Sequence, residues 1–161
     1  MTWMLWSLLG IAWAEPGAVG ETLRWSVHYL GLEVGEASTV VSSGPGEART
    51  IVGTGSSLRW YRAIYNMEDR VQSTWWPGRG SSSYVTRFRE GGFHQDQVMD
   101  IRPEAIVVER SQRFSEGWRS WTDQYEGPGR WLQDPQTTFF YIRRLPLNTG
   151  DHYTLDVFSG S

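Results

Sequence analysis

His94 and Asp96 stand two residues apart in "FHQDQVMD", a spacing that puts both side chains on one face of an extended strand, where metal ligands can sit. A third or fourth ligand would have to come from His28, His152 or Asp100, and no compact ligand motif joins them, so no metal is expected. Acid–base chemistry would need two carboxylates in one cleft, and Glu68, Asp69, Glu90 and Glu104 are the candidates. Glu68 and Asp69 are adjacent, so on a strand they point to opposite faces and cannot form one pair without a bulge. Ion pairs with the many arginines are the simpler fate of these carboxylates.

No G-x-S-x-G, H-E-x-x-H or P-loop motif is present. The Gly-x-Gly triplets at Gly44, Gly53, Gly78 and Gly127 lack the following helix that phosphate binding needs. No catalytic residue and no cofactor is expected. The aromatic residues are more informative. Trp118, Trp121, Tyr125 and Trp131, with Phe114, crowd the Gly-rich stretch "FSEGWRSWTDQYEGPGRWLQDP" without clean periodicity. Such a loop suits the mouth of a barrel, where it would contact an apolar or sugar ligand or plug the end as filler. Trp25 and Trp60 follow strand alternation and are predicted core; Trp75 and Trp76 must face opposite ways.

These side chains need strands to position them. From Glu21, Leu23, Trp25, Val27 and Tyr29 alternate with Arg24, Ser26 and His28, the period of a half-buried antiparallel strand. Gly31 makes the turn and "LEVGEASTVV" returns, with Gly35 as a bulge or bend. The runs "ARTIVGTGSS", "LRWYRAIYNM", "EDRVQSTWW", "SSYVTRFREGG", "FHQDQVMD" and "EAIVVERSQ" follow, each short and β-prone, and Pro77 to Gly80 is the clearest hairpin turn. One short helix is predicted near residues 135–144: Asp134 can cap it, Pro135 fits its first position, Arg143 and Arg144 suit its C-terminus and Pro146 ends it. Phe139, Ile142 and Leu145 or Phe140 would face the sheet. Tyr153, Leu155 and Val157 then alternate as a final strand. The expected fold is mainly β: a curved antiparallel sheet or partial barrel with one helix.

The chain has 161 residues, enough for one domain that buries about two thirds of its unfolded surface. Fifteen basic and eighteen acidic residues give a net charge of −3 without runs of like charge, which argues against nucleic acid as a partner. All the basic residues are Arg, so lysine nucleophile and base chemistry is excluded; with no Cys, so are disulfides and thiolate chemistry. "MTWMLWSLLGIAWAEPG" carries an apolar run and then Ala12-Trp13-Ala14, the small-x-small pattern of a cleavage site. The expectation is a signal peptide over 1–14, cut after Ala14, and a periplasmic or secreted domain over 15–161 without a transmembrane span.

"YLGLEVGEA", "YNMEDRVQS", "REGG", "QDP" and "RRLPLNTGDHYTLDVF" together resemble the bacterial exported family called domain of unknown function 3108. The resemblance runs from about Gly20 to the end. It implies an exported, mainly antiparallel β protein, and, because members usually continue for several more strands, a domain incomplete at its C-terminus. It supplies no catalytic residues. The expected function is a non-catalytic envelope module for an amphipathic ligand (lipid or glycan) or an envelope protein. The alternatives are an enzyme acting on envelope polysaccharide through Glu68, Asp69 or Glu90, and a ligand-free assembly factor.

Overall fold

The computed structural model describes residues 15–160; the predicted signal segment 1–14 lies outside them. Eight strands run in chain order through one sheet: β1 (Thr22–Tyr29), β2 (Leu32–Ser43), β3 (Arg49–Ser57), β4 (Glu68–Trp76), β5 (Gly80–Glu90), β6 (Phe93–Ile101), β7 (Ala105–Phe114) and β8 (Gly117–Glu126). Every neighbouring pair is antiparallel, and among the described residues β1 and β8 are free edges and the curved sheet stays open. This up-and-down order follows from short turns: strands only a few residues apart pair with each other because loop closure over longer spans costs more entropy. Gly31 turns β1 into β2, and the register skips Val34 beside Gly35, the bulge expected there.

One helix, α1 (Pro135–Ile142), packs on what we call the inner face. Asp134 caps it, accepting from the N–H groups of Gln136 and Thr137, while the Thr137 hydroxyl takes the Asp134 N–H in return. Its buried face is Thr137 together with Phe140, one of the residues predicted to face the sheet; Phe139 and Ile142, also predicted to, remain exposed. Phe140 meets Trp75, Val41 and Ile51 over β2–β4. Over β5–β8 the cover is a strap: Leu132 and Phe158 close on Tyr84, Met99, Ile101, Ile106 and Val108. Among the described residues α1 and the strap cover this end of the inner face, and the segment through Met67 closes over Ser57 at the other.

Four expectations are corrected. The segment around Tyr153 to Val157 is not a strand; it makes a single parallel bridge, Val157 to Gln133. "LRWYRAIYNM" forms a 3-10 turn at Tyr61–Ala63 and leaves Trp60 50% exposed. Trp25 is 43% exposed, since it lies on an edge strand with no strand beyond it and only the rim of the helix beside it. The aromatic stretch after Phe114 is a regular hairpin as far as Glu126, Phe114 opposite Gly117, and only its end around Trp131 lies outside the strands.

Candidate functional site

The uncovered half of the inner face carries a groove whose shape follows from the strand register. Trp25 on β1 is opposite Ala37 on β2, Ala37 opposite Gly55 on β3, and Gly55 opposite Asp69 on β4. The next row toward the helix reads Leu23, Thr39, Gly53 and Val71. Small side chains between large ones leave a trough, because directly opposed residues stand only about 5 Å apart and share one face. The resulting groove holds about 190 Å³. Trp25 forms one wall and continues it to the helix, meeting Phe139 edge to face at 6.3 Å. Asp69 and Val71 form the other. The floor is open by composition: a methyl group on Gly55 would meet only the Met67 terminal carbon, at 3.6 Å.

Asp69 is the polar anchor of this wall. Partial burial pushes its carboxyl up to about 6, the Glu90 carboxyl adds to that, and the N–H donated by Arg89 at 2.9 Å opposes it. Glu90 lies one row nearer the rim on the same face, paired across to Met67, and accepts the Tyr65 hydroxyl at 2.9 Å. That hydrogen bond is the main reason the Tyr65 phenol is raised. Two carboxylates that sequence spacing cannot join are thus brought together across β4 and β5. Glu68 faces the other side.

The four aromatic residues predicted to form a ligand site do not converge. Trp121 and Tyr125 lie on the inner face, opposite Arg110 and Ile106, whereas Trp118 is opposite Arg113 on the outer face, under the Arg89 guanidinium at 5.6 Å. Tyr125 already packs on Phe158 at 5.2 Å, and Trp131 lies in the strap before α1. A spacing of three residues, Trp118 to Trp121, splits them by strand parity, and that signal was present in the sequence. His94 and Asp96 share the outer face, but Asp96 is held by Arg89 at 2.6 Å and faces Arg87 at 3.5 Å. Among the described residues no cluster of three metal-ligating side chains occurs. Asp134 is fully buried and its carboxyl is raised by that burial, against the pull of its bonds to Ser81, Thr137 and Gln136; those partners make it a cap rather than a reactive group.

The stretches with turn and cap chemistry occupy structural positions: "REGG" is the β5–β6 turn and "QDP" the start of α1. A family model described as Protein of unknown function (DUF3108) matches residues 24–161, which takes in all eight strands but the first two residues of β1. Comparison with curated proteins gave no match, and comparison with solved structures gave none. By the extent of that match the chain belongs to the DUF3108 family.

Proposed function

We propose that this protein is a non-catalytic, exported envelope module that binds the apolar part of an amphipathic ligand on the uncovered half of its inner face. The observation that carries the reading is the row Trp25, Ala37, Gly55, Asp69: an aromatic wall, a floor of the two smallest residues and a carboxyl at the far edge. An acyl chain or a sugar face gains by covering Trp25, while hydroxyl or amine groups of the ligand reach Asp69. The test is titration with a dansyl-labelled fatty acid. Saturable energy transfer from tryptophan is expected, and Gly55→Leu, which fills the groove without a backbone clash, should abolish it. Equal transfer in the variant, or none in the wild type, sinks the reading.

Asp69, titrating near 6 beside Glu90, has the poise of a general acid for glycan cleavage. Asp69→Asn and Glu90→Gln measured against envelope glycans decide it: turnover in the wild type that either variant loses would make the protein an enzyme.

A further inference from the structure

Arg70 on β4 and Arg87 on β5 are direct cross-strand partners on the outer face, next to the groove, whose residues Gly55 and Asp69 also line the space in front of them. Directly opposed like charges destabilise a sheet, so the pair calls for anionic relief. The chain supplies little. Among the described residues the Arg70 guanidinium has no hydrogen bond or ion pair. Arg87 reaches only Asp96, at 3.5 Å, and the same carboxyl oxygen is already taken by Arg89 at 2.6 Å. The two guanidiniums open into a cavity of about 510 Å³ that spans β3, β4 and β5. Arg62 overhangs it from the 3-10 turn, positioned by its Nε donating to the Ser57 carbonyl at 3.0 Å, and Ser56 offers a hydroxyl from β3. Opposing them, Glu68 lines the cavity as an exposed carboxylate, and Asp69 is engaged by the Arg89 N–H.

We propose that this notch binds a phosphate group, with Arg70 and Arg87 clasping it from below and Arg62 closing over it. Guanidinium forks match the oxygens of a phosphate, and two or three of them balance a dianion that one cannot. The ligand relieves the Arg70–Arg87 repulsion on binding, so binding and stability are coupled. The phosphate comes either free in solution or on a lipid headgroup, and the site chemistry is the same for both.

Thermal unfolding of the intact chain in phosphate against chloride at matched ionic strength, with wild type, Arg70→Gln and Arg87→Gln, tests this. Without phosphate the variants should melt at or above the wild type, because a repulsive pair is gone. Phosphate should raise the melting temperature of the wild type, and each variant should lose most of that rise and bind phosphate at least about tenfold more weakly. Arg119→Gln, on a distant exposed ion pair with Glu116, should keep it. Sedimentation with phosphatidylglycerol and with phosphatidylcholine vesicles separates the sources. Salt-sensitive pelleting with the anionic vesicles that Arg70→Gln abolishes assigns the headgroup; a phosphate response without pelleting assigns the free anion. An equal phosphate shift in the wild type and both variants, or neither a shift nor pelleting in the wild type, overturns the proposal.

Discussion

At the scale of single residues the carboxylates carry the sharpest predictions. Asp69 has its folded value near 6, above the ordinary value of 3.8, so the folded state holds a proton that the unfolded state releases between those limits. Stability from this group is therefore present below about pH 4, falls as pH rises toward 6, and is not recovered above it. Asp69→Asn should flatten that slope in denaturant titrations at pH 4, 5, 6 and 7, leaving the variant the more stable protein at neutral pH. An unchanged slope would show that Asp69 ionises normally. Asp134 behaves oppositely on substitution. It caps two N–H groups and accepts the Ser81 hydroxyl at 2.6 Å in a fully buried place, so Asp134→Ala should cost about 2–4 kcal/mol and Asp134→Asn about 1 kcal/mol by urea unfolding. Asp134 with Pro135 was legible from sequence because a cap is local chemistry. The Asp69–Glu90 pair and the opposed Arg70 and Arg87 were not, since they depend on which residues face each other across two strands, and register is set by the whole sheet.

At the scale of elements, glycines separate the parts that must pack from the part that stays open. A methyl group on Gly80, at the start of β5, would stand 2.4 Å from the Leu132 carbonyl oxygen, where the strap crosses the strand and Ser81 donates its N–H to the same carbonyl. Gly80→Ala should therefore cost about 1–3 kcal/mol and loosen the strap. Gly55→Ala, in the groove floor, should change stability by less than about 0.5 kcal/mol. Comparing the two by thermal unfolding checks where the core ends. Most strands were legible from alternation and turn residues: "EDRVQSTWW" is β4 to the residue, and Pro77 opens a true hairpin turn. Alternation failed at Tyr153 to Val157 and at Trp60, because period-two patterning shows only which residues could share a face and not whether the segment pairs with a neighbour. Trp25 was misread as core for a related reason: its face was identified correctly, but the position of its strand at the edge of the sheet decided its exposure.

At the scale of the whole molecule, an open sheet of eight strands leaves two long edges, β1 and β8. Such edges template pairing with other chains. Sedimentation velocity should show association that grows with concentration, and Val27→Lys, which places a charge on the inner side of β1, should reduce it; a wild type that is monomeric at every concentration would contradict this. We propose that the inner face is divided between a half sealed by α1 and the strap and a half that takes a ligand. The most direct test is amide and indole chemical-shift mapping during titration with decanoate. Shifts should concentrate at Gly53, Gly55, Asp69 and the Trp25 indole, with Trp118 and the buried Trp75 silent. Saturable shifts centred on Trp118 or spread over the outer face, or no shifts at all, would contradict it.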